Sequence, residues 1–214
     1  MRNGQTEAER RKKRRHRRVL IIVIYTAIAV GLAWFFESQA TTTIIFVRHA
    51  EKAAEPAEDP GLSDTGRRRV AELTRQLVDA DVVAGIDAVY STPFRRSLET
   101  AKPLADALGL EIQRYDPSDN EAVLAEILKR YKGKIILVVA HSNTVPTLIA
   151  DLGASKKVPP IAENEYDNIY IISIPWFGKT KTIRLRYGDP YLPGPPANGA
   201  DAVSAGAQAA REPV

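Results

Sequence analysis

The chain has 214 residues, enough for one domain of ordinary size with additional terminal segments. Apolar residues make up 44% and charged residues 26%, which is typical of a globular protein and excludes a largely disordered one. There is no cysteine, which excludes disulfides, thiol catalysis and cysteine-based metal sites.

The formal net charge of +4 comes from the N-terminus and not from the body of the chain. Residues 1–18 hold 9 of the 30 Lys and Arg residues and 2 of the 26 acidic ones. The rest of the chain has 21 basic and 24 acidic residues and is therefore slightly acidic. A domain with this charge lacks the basic surface that nucleic acid requires, so we predict no nucleic-acid partner.

A basic block, residues 10–18, precedes eighteen residues without a charged side chain, 19–36. That length is near the minimum of roughly 17–25 residues for a helix that crosses a bilayer. Trp34 and the two phenylalanines after it suit the aromatic belt at a membrane interface. The pattern predicts one transmembrane helix over 19–36, with segment 1–18 in the cytoplasm and the following domain outside it.

Three alternatives for this N-terminal region are weaker. A signal peptide cleaved near Ala40 would use the small residues of Ser38-Gln39-Ala40, but the apolar run is long for that role and a long polar segment precedes it. A buried core helix would have an amphipathic stripe, and this run is apolar on every side. A nuclear or nucleic-acid signal is disfavoured because the basic block lies directly against the apolar run.

From residue 43 onward, short β-branched runs alternate with amphipathic segments. Strands are predicted at 43–47, 86–90, 110–113 (a short edge strand), 134–140, 168–174 and 180–186. Helices are predicted from Ser63 or Asp64 to about residue 81, from Pro93 to 108, at 120–131 and at 144–152. This alternation indicates an α/β fold, a three-layer α/β/α sandwich with a mostly parallel sheet, preceded by one transmembrane helix.

The predicted domain covers residues 43–187. From residue 188 the sequence is dominated by Pro, Gly and Ala. Such a composition cannot form a packed core, so 188–214 are predicted to be a disordered, non-catalytic tail.

Candidate site residues follow three of the predicted strands at the point where each strand ends. Arg48 and His49 follow the first strand, and His141 follows the fourth. The second ends at Ser91, with Arg96 at the start of the next helix. Carboxyl ends of parallel strands share one edge, where open α/β sheets bind ligands. Helix N-termini and guanidinium groups bind phosphate oxygens, so these residues predict a site for a phosphate ester or a related anion.

At these positions the chain resembles the histidine phosphatase superfamily, the phosphoglycerate-mutase-like group, in a small branch poor in insertions. Four segments carry the resemblance in the family's order: Arg48-His49-Ala50, 62–66 (LSDTG) before an Arg-rich helix, 91–101 (STPFRRSLETA) and 140–144 (AHSNT). The resemblance extends over residues 43 to about 187, some two thirds of the chain.

The resemblance implies a role for each matching residue. His49 would be the nucleophile that accepts the phosphoryl group on a ring nitrogen, and Arg48, Arg96 and His141 would hold the phosphate and stabilise its charge. Water would then hydrolyse the phosphohistidine. No metal and no other cofactor is expected, because the arginines and His141 supply the positive charge.

Other polar and aromatic residues beside the motifs have less defined roles. Lys52 and Asn143 are candidates for substrate binding. The remaining arginines are expected on solvated helix faces (Arg67, Arg68, Arg69 and Arg95). Trp176 and Phe177 are expected to serve a turn or packing.

The carboxylate that protonates the leaving group in many family members has no clear counterpart. Some members have an Asp directly after the second histidine, where this chain has Ser142. Spacing selects none of the other candidates (Glu51, Glu55, Glu58, Glu163 and Glu165). A missing acid favours substrates with a good leaving group, phosphohistidine among them.

The sequence therefore predicts a metal-independent phosphatase acting on a phosphomonoester or phosphohistidine, with the membrane and a phosphorylated substrate as its partners. A mutase that moves a phosphoryl group within one small molecule is an alternative, disfavoured because the long substrate-covering insertions are missing. A catalytically silent, membrane-anchored module that binds phosphate or a partner protein is the third hypothesis.

Overall fold

The computed structural model describes residues 7–38, 41–78, 85–155 and 157–193. Two units are distinct, one ending at Ala40 and one beginning at Thr41. The first consists of α1 (Glu7–Ser38). Its segment Glu9–Phe35 is long and apolar enough to cross a membrane, criteria that a signal sequence also meets. None of this apolar segment is buried within the chain, which argues against the core-helix alternative.

The second unit alternates strands and helices in the order expected from the sequence. The strands are β1 (Thr42–Arg48), β2 (Ala88–Ser91), β3 (Ile112–Arg114), β4 (Ile135–Ala140), β5 (Asn168–Ile174) and β6 (Lys181–Arg186). The helices are α2 (Asp64–Val78), α3 (Arg95–Leu108), α4 (Asn120–Arg130) and α5 (Thr144–Asp151).

The six strands form one sheet in the order β3-β2-β4-β1-β5-β6. The first four are mutually parallel, and β5 runs antiparallel to both of its neighbours. Helices cover both faces of this sheet, with α4 and α5 on one face and α2 and α3 on the other. The fold class predicted from the sequence, an α/β sandwich with a mostly parallel sheet, is confirmed.

The side chains of β1 alternate between the two apolar cores. Ile44 and Phe46 lie in the core that also contains residues of α4 and α5. Ile45 and Val47 lie in the core that contains residues of α2 and α3. A central strand buried on both faces has a continuous apolar run, which is why β1 was recognisable from the sequence.

The start of α3 differs from the prediction. Pro93 was expected as the first helical residue, but the helix begins at Arg95, and Phe94 before it has an extended backbone (φ −64°, ψ 141°). The Asp59 carboxylate accepts a hydrogen bond from the Arg95 backbone N–H at 3.0 Å, which satisfies a free donor of the first turn. Pro93 and Phe94 therefore both belong to the loop before α3. The predicted helix end near residue 81 lies outside the described residues.

The first turn of α2 lies directly on the loop that follows His49. The Gly66 N–H donates to the Ser63 side chain at 3.1 Å, so Ser63 caps this helix rather than Asp64. A Cβ atom at position 66 would collide with the backbone oxygen of Glu51. Glycine therefore permits a close approach between α2 and the residues next to the nucleophile candidate.

Arg69 was expected on a solvated helix face, and that prediction was wrong. Its side chain is buried, its Nε lies 2.8 Å from a Glu51 carboxylate oxygen, and its Nη1 donates to the carbonyl groups of Tyr187 and Asp189. The Tyr191 N–H also donates to a carboxylate oxygen of Asp167, at 2.8 Å. Hydrogen bonds thus connect the chain to the domain as far as residue 191, four residues beyond the predicted limit. Most of the predicted tail, residues 194–214, lies outside the described part.

Candidate active site

Three strands end level with one another and bring the predicted histidines together. Arg48 pairs with Ala140 across β1 and β4, and Ser91 pairs with Val139 across β2 and β4. The residue that follows β1 is His49 and the residue that follows β4 is His141, and their ring centroids are 5.3 Å apart. The structure therefore places both imidazoles at the edge where parallel sheets bind ligands.

The ring of His49 is held in one orientation by backbone groups. Its Nδ1 lies 2.8 Å from the carbonyl oxygen of Ala50. A carbonyl only accepts hydrogen bonds, so Nδ1 carries the proton and Nε2 of the neutral ring keeps its lone pair. The Ala50 N–H in turn donates to Thr100 Oγ1 at 3.0 Å, which fixes this loop to α3.

The surroundings of His49 oppose a second proton on its ring. Burial lowers the pKa of His49 from 6.5 to about 2, against the opposing effect of the Ala50 hydrogen bond, and the charges of Arg48 and Arg96 and the neighbouring His141 lower it further. The imidazole is therefore neutral at physiological pH, which is the form that can act as a nucleophile.

His141 is neutral for the same reasons and is oriented by hydroxyl groups. Burial lowers its pKa from 6.5 to about 4, with contributions from Arg96 and Arg48. Its Nε2 lies 3.0 Å from Thr92 Oγ1, and its backbone N–H donates to Thr144 Oγ1 at 3.0 Å. A bound anion would favour the protonated ring, because opposite charge raises a histidine pKa.

Arg48 is buried and held by the loop before β5. Its Nη1 donates to three backbone carbonyls, those of Ala162 (2.9 Å), Glu163 (2.7 Å) and Glu165 (3.2 Å). Its guanidinium also lies 4.2 Å from the ring centre of Tyr166, within the range of a cation–π contact. These contacts fix the guanidinium beside His49.

Arg96 lies in the first turn of α3, with its guanidinium 4.6 Å from the ring centre of Phe94. The rings of Phe94 and His141 are nearly perpendicular, with their centroids 5.2 Å apart. Since the charge of Arg96 lowers the pKa of both histidines, the guanidinium, Phe94 and the two imidazoles form one cluster. Two permanent positive charges beside two neutral rings suit a phosphate or a similar anion.

The two weaker candidates for substrate binding lie beside the cluster and are exposed. Lys52 forms an isolated β-bridge with Leu62 on the loop after His49. Asn143 is the residue before α5, and its side chain makes no capping hydrogen bond. Their roles in substrate binding stay predictions.

The candidate acids fall into two groups. Glu51 and Glu165 are bound in ion pairs, with Arg69 and Arg186 respectively. The side chains of Glu55, Glu58 and Glu163 are exposed. Of these three, Glu163 belongs to the loop that holds Arg48, which makes it the best placed candidate. Among the described residues, no three His, Cys, Asp or Glu side chains lie together as a metal-ligand set.

Sequence reasoning did not identify Thr92, Phe94 and Tyr166 as site residues. Thr92 and Phe94 lie inside the family segment 91–101, so the strand end before them was a usable signal. Tyr166 lies on an irregular loop, and its ring centroid is 6.0 Å from that of His49. No local pattern in the sequence marks it, because its proximity to β1 depends on the whole sheet.

Comparison with known proteins supports a phosphatase relationship. A model of the histidine phosphatase superfamily (branch 1) matches residues 44–117. Phosphoserine phosphatase 1 of Hydrogenobacter thermophilus is 33% identical over 79 residues, which cover 34% of this chain and 36% of that protein. The alignment thus covers only about a third of this curated relative's length.

Two solved structures share the fold. The protein histidine phosphatase SixA, solved with tungstate, is similar with a TM-score of 0.54 and 21% identity, over 67% of this chain and 96% of that one. A mycobacterial glucosyl-3-phosphoglycerate phosphatase is similar with a TM-score of 0.50 and 15% identity, over 62% and 90% of the two chains.

The matched segment and the shared fold agree with the resemblance that the sequence motifs indicated. Residues 44–117, about a third of the chain, match the histidine phosphatase superfamily, which is the family predicted from the sequence.

The low pKa of both histidines predicts that acid destabilises the fold. Below about pH 6.5 the unfolded chain binds protons that native His49 and His141 do not, so the free energy of unfolding falls as the pH falls. Each histidine contributes at most about 1.4 kcal/mol per pH unit to this slope. We expect His49→Gln to have a shallower slope than wild type in urea unfolding between about pH 5 and pH 7. His16→Gln, which changes an exposed residue of α1, is the control; equal slopes for wild type and His49→Gln would contradict the prediction.

Proposed function

We propose that this protein is a phosphatase that hydrolyses a phosphomonoester or phosphohistidine through a phosphohistidine intermediate on Nε2 of His49. One observation carries the proposal: the Nδ1 proton of His49 is directed to the Ala50 carbonyl, which leaves the Nε2 lone pair for the substrate. The charges of Arg48 and Arg96 beside this ring suit the phosphoryl group that the lone pair would attack.

In the first step, the Nε2 lone pair forms a bond to phosphorus while the bond from phosphorus to the leaving group breaks. The leaving group keeps the electron pair and takes a proton from water or from a carboxylic acid, for which Glu163 is the best placed candidate. Arg48, Arg96 and His141 balance the charge of the phosphoryl oxygens, and His141 gains basicity when the anion binds.

In the second step, a water oxygen attacks phosphorus and the bond from phosphorus to Nε2 breaks, so that Nε2 regains its electron pair. The proton that the water loses goes to solvent or to the carboxylate left by the first step. The products are inorganic phosphate and a neutral His49, which is again held by the Ala50 carbonyl. Neither step uses a metal ion or a cofactor. Lys52 and Asn143, at the exposed side of the cluster, would contact the part of the substrate beyond the phosphate.

The names of the relatives support the substrate class. One relative is named a phosphoserine phosphatase, and the solved structure of SixA is described as a protein histidine phosphatase with tungstate, an oxyanion. Glu51 and Glu165 are bound in ion pairs and are not available to protonate a leaving group. Substrates whose leaving group departs without strong acid assistance therefore suit this site.

The N-terminal helix supports attachment to a membrane. We propose that residues 19–36 span the bilayer, with segment 1–18 in the cytoplasm and the catalytic domain outside it, as the basic block favours. The alternative is export followed by cleavage near Ala40. The apparent mass of the purified chain distinguishes the two, since cleavage would remove the first forty residues.

The test is a phosphate-release screen of the full chain in detergent, with small phosphomonoesters and a phosphohistidine peptide, in the presence and absence of EDTA. We expect turnover that EDTA does not change. Loss of activity in EDTA would contradict metal independence. A requirement for a bisphosphate primer would favour the mutase, and phosphate binding without turnover on any substrate would favour the silent binding module.

A further inference from the structure

The turn between β5 and β6, residues 175–180, presents two aromatic side chains to solvent. Trp176 is 52% exposed and Phe177 is 84% exposed. The expectation that they serve a turn is met, but neither is buried in a core. Exposed aromatic pairs are unusual on a soluble surface and typical of a protein or membrane contact. We call residues 175–180 the β5–β6 tip.

The β5–β6 tip lies at the end of the sheet where β1 begins, opposite the end that carries the histidines. Ile174, the last residue of β5, pairs with Thr42, the first residue of β1. Since β1 runs from Thr42 to Arg48, the tip and the histidine site lie at opposite ends of the sheet, about 20 Å apart. In the sequence, only six residues separate Phe35, the end of the candidate span, from Thr42. A chain of that length reaches no more than about 25 Å.

This end of the sheet is basic, although residues 43–187 as a whole have as many acidic as basic side chains. Exposed lysines come from the turn before β4, the segment after α5, the tip itself and the start of β6 (Lys132, Lys134, Lys157, Lys179 and Lys181). Asp87, 3.0 Å from Lys134, and Asp151 at the end of α5 are acids at this end of the described domain. Glu111, exposed before β3, is another. Lysines around exposed aromatic rings match an anionic membrane surface, which attracts the charges while the rings enter the interface.

We propose that this edge of the domain docks on the bilayer that holds α1, with Trp176 and Phe177 in the interface and Lys179 and Lys181 facing anionic lipid headgroups. The inference rests on the proposed membrane span and is independent of the proposed chemistry. Docking in this orientation turns the histidine site away from the bilayer, so that substrates in the aqueous phase reach it.

The experiment uses Trp176 as its probe. Trp34 and Trp176 are the two tryptophans of the chain, so Trp34→Phe leaves a single fluorophore at the tip. The full-length variant is placed in nanodiscs of phosphatidylcholine, either alone or with one third phosphatidylglycerol, each with and without a brominated lipid as a quencher. We expect Trp176 to be quenched by the brominated lipid and shielded from aqueous acrylamide, and more so in the anionic discs.

Charge variants supply the matched comparison. In the same background, Lys179→Gln with Lys181→Gln should lower the ratio of docked to undocked tip by about five-fold for each lysine. Arg68→Gln with Lys102→Gln removes as much charge from exposed positions on α2 and α3 and should leave quenching unchanged. Equal quenching of both pairs would overturn the proposal.

Two other results would overturn docking on lipid. One is full access of acrylamide to Trp176 without quenching by lipid. The other is a blue shift of Trp176 fluorescence that depends on protein concentration and not on lipid, which would assign the tip to a contact between copies of the chain.

Hydrolysis of a soluble phosphomonoester, measured on the same samples, distinguishes a failure of the docking proposal from a failure of the proposed function. Lipid-dependent quenching in an inactive protein would contradict the chemistry alone, and activity without quenching would contradict the docking alone.

Discussion

Replacement of His49 by Asn is expected to lower the turnover of a phosphomonoester by about 10³-fold or more, because the variant lacks the nucleophile. Asn is chosen because its amide N–H can still donate to the Ala50 carbonyl, as Nδ1 of His49 does at 2.8 Å. The variant therefore tests the Nε2 lone pair with little change to the surrounding loop. The measurement is the rate of phosphate release by the full chain under saturating substrate.

The same variant should not become phosphorylated. Rapid quenching with labelled substrate should trap an alkali-stable, acid-labile phosphate on wild type and none on His49→Asn. His16→Asn is the matched control, since His16 is an exposed residue of α1 and should retain both turnover and the labelled intermediate. A labelled intermediate on His49→Asn would contradict the assignment of His49 as the nucleophile.

Replacement of Arg69 by Met is expected to destabilise the domain by about 3–5 kcal/mol. Arg69 and Glu51 form a buried ion pair at 2.8 Å, with side-chain exposures of 8% and 18%. Met fills much of the space of the arginine but leaves the Glu51 carboxylate buried without its partner and the Tyr187 and Asp189 carbonyls without their donor. The measurement is the free energy of unfolding from urea titration, followed by circular dichroism.

A double-mutant cycle separates the ion pair from the carbonyl contacts. Glu51→Gln combined with Arg69→Met should lose less stability than the sum of the two single changes, because the unpaired carboxylate is gone. Arg95→Met is the surface comparison, since Arg95 pairs with Glu99 at a side-chain exposure of 58% and should cost at most about 1 kcal/mol. Additive single changes would contradict the buried pair as the source of the loss.

The strands, the fold class and the two central histidines could be predicted because they depend on local sequence. β1 and β4 are buried on both faces, so each is a continuous apolar run. In a parallel sheet the residues that follow such runs lie at one edge, which is why Arg48, His49 and His141 were expected together and are found together. α3 also ends at residue 108 as predicted, and Gly109 after it has a left-handed backbone (φ 65°).

The partners of these residues depend on contacts between distant parts of the chain. Arg69 lies beside the apolar face of α2, and its partners Glu51 and Tyr187 come from the loop after β1 and the end of β6. Tyr166 reaches Arg48 because β5 pairs with β1, which only the assembled sheet establishes. A sequence pattern indicates which side of a helix or strand is buried, because the spacing of apolar residues along the chain is a local property. Only the tertiary structure decides what each buried charge contacts, because its partner lies on another element.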